Sequence, residues 1–174
     1  MTERHTMQTF LPISTSFKAS AQVLDNKRLH KQALEGWQIL MVLLELDPDG
    51  NHRTPKGWVN HPAVKMWRGY EFALYQYIQQ MVIEWRARGF KSTIGVKASN
   101  TFIQAKNLNR ISGVHRFPDW MVDVELYKKI CSSHRVALLS KDYEWYSEFG
   151  WAEDAGVRPK TYEYLWPTEI EHAA

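Results

Sequence analysis

The segment from Asn60 to Gly89 constrains the fold of this chain more than any other. Asn60 and His61 can both cap a helix, Pro62 suits the first helical turn, and Gly89 stands where a helix would end. Between them Val64, Trp67, Phe72, Leu74, Tyr77, Ile78, Met81, Val82 and Trp85 recur at helical steps. The face is too broad for a surface helix, so the pattern predicts a central helix over 62–88 covered on more than one side. Two further amphipathic stretches can cover it. Val23, Leu24, Leu29, Ala33, Trp37, Leu40 and Leu44 predict a helix from Ser16 to about Leu46, with Ser16 or Ser20 as cap, closed by Asp47-Pro48-Asp49-Gly50. Asp119 can cap a third, from about Trp120 to Leu139, with Val124, Tyr127, Ile130, Val136 and Leu139 inward. Residues 91–118 lack a clear period and predict an irregular stretch with a short helix near Thr101 to Leu108. The expected fold is therefore all-α: a compact single domain over 1–174, of about three main helices with long irregular connections.

Composition agrees with one domain. The 174 residues are 44% hydrophobic and 13% aromatic, enough for one core and too short for two. Flexibility is expected only over residues 1–6 and 169–174. The lone Cys131 excludes an internal disulfide framework and reads as packing. No apolar run is long enough to cross a bilayer, since Ile39 to Leu44 is followed by Glu45. A soluble cytoplasmic protein is expected.

Familiar catalytic spacings are missing: there is no Gly-rich phosphate loop, no Ser-centred nucleophile elbow and no Cys-x-x-Cys pair. The seven histidines lack zinc-ligand spacing, so neither metal nor cofactor is expected. Three features remain. In Leu24-Asp25-Asn26-Lys27-Arg28-Leu29-His30-Lys31-Gln32, one carboxylate sits among cations. This is either a solvated helix face with weak ion pairs or an ionised Asp25 beside Arg28 with cations for phosphates. Asn60 to Glu71, with His61 and Lys65, reads alone as a well-capped core helix. Ser133-His134-Arg135, with Lys128, Lys129 and Lys141, precedes Tyr143, Trp145 and Tyr146. Bases interleaved with rings suit a phosphate backbone and unstacked bases, although aromatic loops also seal cores. The net charge of +3 permits nucleic-acid binding without requiring it.

Met7-Gln8-Thr9-Phe10-Leu11-Pro12, the Leu24 to Gln32 and Asn60 to Glu71 segments, Ser133-His134-Arg135 and Leu165-Trp166-Pro167 together resemble the bacterial branch of the pyrimidine-dimer DNA glycosylase, or endonuclease V, family. This resemblance covers almost the whole chain. A fainter similarity to the phage enzyme is best at Phe72 to Phe90, ending Arg86-Ala87-Arg88-Gly89-Phe90, and at Arg135 to Gly150.

The resemblance implies a monomeric, nucleoid-associated enzyme on damaged double-stranded DNA, whose amine attacks the sugar C1′. The Schiff base then releases the base and permits β-elimination of the strand. An α-amino group, with a pKa of about 7.7 to 8.0 against about 10.4 for lysine, suits this role. The family's threonine amine would correspond to Thr2 after loss of Met1, with Lys27 or Lys31 as fallback. Alignment sets Arg28 at the position of the family's catalytic glutamate and Lys27 at its neighbouring arginine. Asp25 and Glu35 are the nearest carboxylates, and Asp25 is favoured because i,i+3 spacing sets it beside Arg28. Arg135 falls at a phosphate-binding arginine, Lys31 at another basic position, and Trp145 with Tyr146 at the aromatic pair near the lesion. The expected chemistry thus involves Asp25, Arg28, Lys31, Thr2, Lys27 and Glu35. The expected DNA contacts are His30, His61, Lys65, His134, Arg135, Lys141, Trp145 and Tyr146. The competing expectations are a non-catalytic binder of damaged or bent DNA and a glycosylase or modifying enzyme for a hypermodified base.

Overall fold

A computed structural model describes residues 7–111 and 115–170. Among them there are eight α-helices, so the all-α expectation holds. Their boundaries differ from the periodicity.

The predicted first helix is two. α1 (Phe17–Val23) is capped by the Ser16 hydroxyl, which accepts from the Ala19 amide; α2 (Asn26–Leu44) is capped by Asp25. Leu24 and Asp25 between them are extended. Asp25 therefore marks a break rather than a helical interior. α2 ends at Glu45, whose φ of 54° is left-handed.

The predicted helix 62–88 is also divided, into α3 (Pro62–Lys65), capped by the His61 ring, and α4 (Glu71–Ala87). Gly69 adopts a φ of +83°, a conformation that an L side chain seldom takes, and the ladder gives way to tight turns at Trp67 and Tyr70. This break lets Trp67 and Met66 become fully buried while Arg68 faces out.

α5 (Ile94–Asn107) occupies most of the stretch expected to be irregular. Its inner face is Ile94, Gly95, Ala98, Thr101, Phe102 and Ala105, so helical spacing is present but carried largely by small residues. Asp119 opens α6 (Asp119–Val122) without a capping bond. Asp123 then caps α7 (Val124–Lys141) by accepting from the Leu126 amide. α8 (Tyr143–Tyr146) follows, and 3₁₀ turns occupy 147–149 and 167–169.

α2 and α4 form the central pair, with α1 and α5 packed on them. Gly36 is the point of closest approach: a Cβ there would lie 2.7 Å from Ile78 Cγ1. The segment Met7–Pro12 has no regular secondary structure and is buried, with Met7, Phe10 and Leu11 in the core; it threads between the helices. Its amides and carbonyls are met by side chains, as buried backbone requires. Phe10 N donates to Gln32 Oε1 at 2.7 Å, Tyr77 OH donates to Phe10 O at 2.8 Å, and Leu11 N donates to His134 Nδ1 at 2.9 Å. No described helix is long and apolar enough to cross a membrane.

Candidate functional site

At 3.6 residues per turn, Arg28, Lys31, Gln32 and Glu35 share one face of α2. The threading segment lies against that face. Glu35 is only 9% exposed, and its Oε2 accepts the Gln8 amide at 3.2 Å. Its Oε1 lies 3.7 Å from Lys31 Nζ. One turn along, Gln32 Oε1 accepts from Phe10 N and from Tyr77 OH. Burial, and then the Glu35 charge, hold the Tyr77 phenol well above its ordinary pKa, so it stays a donor. A largely enclosed carboxylate is thereby fixed beside an amine and beside the N-terminal part of the chain.

Tyr164 closes another side. Burial raises its phenol first, and the charges of Glu35 and Arg28 act on it in opposite senses. Its ring packs edge-on against Phe10 and His134. Gln8 Nε2 and His134 Nε2 are buried without a hydrogen-bond partner among the described residues. Polar atoms are seldom left so; Gln8 belongs to the threading segment, and His134 packs on Tyr164 and accepts from Leu11.

Asp25 has a different setting. Its carboxylate accepts from Arg28 N and from Arg28 Nη1 at 3.2 Å, and Tyr146 OH donates to its Oδ1. Its own amide donates to the same phenol oxygen at 3.0 Å. Every strong acceptor position of Asp25 serves the α1–α2 junction, so its position is that of a buried cap. Tyr146 is fully buried, its phenol pushed far up by burial and by the bond to Asp25; it has no surface with which to meet DNA.

The Ser133 to Arg135 cluster turns inward as well. His134 is 0% exposed, and burial followed by the Arg135 charge lowers its pKa to about 3, so it is a neutral acceptor for Leu11. Arg135 Nε donates to both oxygens of Glu153, at 2.7 and 2.9 Å, and its Nη1 to Pro12 O at 2.7 Å. It pins the threading segment four residues from Gln8. Neither residue presents the open cation expected of a phosphate contact.

The remaining expected contacts scatter. Trp145 donates its indole N–H to Val23 O at 2.8 Å. It lines an open groove of about 580 Å³ with Asp142, Glu144, Glu148 and Phe149, and three carboxylates there oppose a phosphate backbone. Lys141 lies over the Tyr162 ring at 5.0 Å. His61 caps α3 through Nδ1 and sits between Trp58 and Trp166, its pKa lowered by burial against the raising effect of Glu169. Lys65 and Lys27 are exposed, and His30 stacks on Trp85. Thr2 lies outside the described residues.

Gln8, Gln32, Tyr77 and Tyr164 were not among the site residues expected from the sequence. The signal for Gln32 and Tyr77 was a polar atom at a core-facing position of each helix. Gln8 and Tyr164 join the site through long-range contacts that no local pattern carries.

Residues 7–98, which span the threading segment, α1 to α4 and the start of α5, match the family model described as pyrimidine dimer DNA glycosylase. No curated protein and no solved structure gives a significant match.

Proposed function

From the premise that this chain belongs to the pyrimidine dimer DNA glycosylase family, matched over more than half its length, we propose that it excises dimer-like or otherwise damaged pyrimidines from double-stranded DNA through an imine, with Glu35 as the catalytic carboxylate. The observation that carries this reading is the contact of Glu35 with both the Gln8 amide and the Lys31 ammonium. It supports Glu35 over Asp25, whose oxygens are already committed to Arg28 and Tyr146.

The reaction balances without an external redox partner. An unprotonated amine attacks C1′, the C1′–N bond to the base breaks, and the base leaves with the electron pair and is protonated. The amine nitrogen, having lost one proton and kept the other, uses its lone pair to form a C=N bond to C1′ as the C1′–O4′ bond breaks and O4′ takes a proton, which leaves a protonated imine. Glu35 is suited to receive a proton from the amine and deliver one to O4′, and its charge stabilises the iminium. Loss of a C2′ proton then expels the 3′ phosphate by β-elimination, and water releases the sugar fragment and regenerates the amine.

Two amines are offered to this carboxylate. Lys31 Nζ lies beside it. The other is an α-amine, on Thr2 when Met1 is removed, which has the larger neutral fraction at pH 7. The exposed Lys27 is suited to hold a flanking phosphate.

The test is reduction with borohydride during incubation with a dimer-containing duplex, followed by peptide mapping of the adduct. The proposal expects a covalent adduct on an N-terminal peptide or on Lys31. Tight binding without excision or adduct would favour a non-catalytic binder; excision without an adduct would point to attack by water.

A further inference from the structure

Four buried side-chain polar atoms lack a hydrogen-bond partner among the described residues: Gln8 Nε2, Tyr127 OH, His134 Nε2 and Tyr164 OH. Tyr127 is apart, on α7 against Trp120. The other three belong to the threading segment or pack on it. His134 accepts from Leu11 N, and the Tyr164 ring lies edge-on to Phe10 at 6.1 Å and to His134 at 5.7 Å.

All three of these atoms are donors. Gln8 Oε1 already accepts from Thr9 N at 2.9 Å, so the unpaired atom is the amide nitrogen. His134 is neutral because burial lowers its pKa, and its Nδ1 is an acceptor, so Nε2 carries the proton. Burial raises the Tyr164 phenol far above its ordinary range, and it keeps its proton at any working pH. An unpaired buried donor destabilises a fold, so three of them against one short segment call for an acceptor that arrives with a ligand.

Tyr164 is the one of the three that a ligand can reach. Gln8 and His134 are buried as whole residues, whereas Tyr164 is partly exposed and follows the exposed residues Lys160, Thr161, Tyr162 and Glu163. The segment 161–166 has no regular secondary structure. It is fastened by Leu165 N, which donates to Ser133 Oγ at 3.1 Å, and by Trp166, whose ring meets His61 at 5.9 Å. On its inner side Tyr164 meets Phe10, whose amide is bonded to Gln32, about one turn before Glu35 on α2. The charges of Arg28 and Glu35 both act on its phenol.

We propose that Tyr164 is a further catalytic residue of this site, its O–H donating a hydrogen bond to O4′ of the damaged nucleotide's sugar as the C1′–O4′ bond breaks. This rests on the reading of the chain as an imine-forming glycosylase. The electron pair of the breaking bond gathers on O4′, and the proton that ends there comes from Glu35. Tyr164 keeps its own proton and stabilises the charge until that transfer. A neutral donor held by packing needs no reorganisation at that moment.

The test is single-turnover excision of a dimer-containing duplex by the full chain and its Tyr164→Phe variant, with DNA affinity and urea unfolding measured on the same preparations. Phe keeps the ring contacts and removes only the oxygen. The expected result is an excision rate about a hundredfold lower with affinity within about threefold. The urea midpoint should equal or exceed that of the unaltered protein, because an unpaired donor has left the interior. Excision at the unaltered rate would overturn the proposal, as would affinity lost in step with rate. A lowered midpoint, or a variant too unstable to purify, would overturn it too, since the hydroxyl would then be serving the fold. Glu35→Gln, run alongside, separates the two assignments. Slow excision by Glu35→Gln with none by Tyr164→Phe removes Tyr164 alone, and the reverse removes Glu35 alone. No excision by the unaltered protein removes both.

Discussion

The Gln8 amide donates to Glu35 Oε2 at 3.2 Å, joining the buried N-terminal segment to the middle of α2 across 27 residues of sequence. Further along that segment Leu11 N donates to His134 Nδ1, and Arg135 Nη1 donates to Pro12 O. Residues read from sequence as a DNA-binding surface instead hold this segment in place, and so fix what approaches Glu35. That difference separates residues whose loss affects stability from residues whose loss affects chemistry.

Tyr146→Phe removes the donor to Asp25 Oδ1 and the acceptor for Asp25 N, leaving a buried amide unpaired. The expected cost is about 1 to 3 kcal/mol in urea unfolding. DNA affinity per folded molecule should be unchanged, since Tyr146 is fully enclosed. Filter binding on the purified variant checks this.

Arg135→Ala leaves Glu153 without its guanidinium. Burial raises the Glu153 carboxyl, but the Arg135 bonds and charge more than offset this and hold it below the ordinary range. Because the pair is partly exposed, the loss should fall somewhat below the about 3 to 5 kcal/mol of a fully enclosed pair. The slope of log Kd against log salt should match that of the unaltered protein. A slope reduced by about one phosphate would return Arg135 to the interface.

His134 is neutral in the fold, with a pKa lowered by burial from 6.5 to about 3. Below pH 6.5 the unfolded chain gains a proton that the folded chain refuses. The stability from this group is complete above pH 6.5 and is lost as pH falls from there toward 3, at about 1.4 kcal/mol per unit. His134→Asn, which keeps an acceptor for Leu11 N, should flatten the fall in thermal midpoint between pH 6.5 and 5. An unchanged fall would assign the acid sensitivity elsewhere.

Gly36→Ala adds a methyl group 2.7 Å from Ile78 Cγ1, and α2 must shift from α4 to take it. The expected cost is about 1 to 3 kcal/mol. Chemical denaturation checks it, and a neutral substitution would mean that the Ile78 side chain yields freely.

What sequence could reveal here was set by how local each signal is. The His61 and Pro62 start and the Gly89 end are properties of adjacent residues, and both appear in the structure. The break at Gly69 was hidden because Val64, Trp67, Phe72 and Leu74 keep helical spacing across it. α5 was hidden because Gly95, Ala98 and Ala105 bury backbone and methyl groups that no hydrophobic pattern registers. At the site, Arg28, Lys31 and Glu35 were legible as one helix face. The choice between Asp25 and Glu35 was not, because it depends on Gln8 and Tyr146 arriving from distant parts of the chain. His134 lies between Ser133 and Arg135, and Tyr146 between Glu144 and Glu148, so both resemble surface residues in sequence; their burial is a property of the packed fold.

The most direct test of the central assignment is single-turnover excision on a dimer-containing duplex by Glu35→Gln, with DNA affinity measured on the same preparation. The amide keeps an acceptor for the Gln8 N–H but loses the charge and the proton-transfer capacity. The expected result is an excision rate reduced at least about a hundredfold with affinity within about threefold. Excision at the unaltered rate, or affinity lost in step with rate, would contradict Glu35 as the catalytic carboxylate.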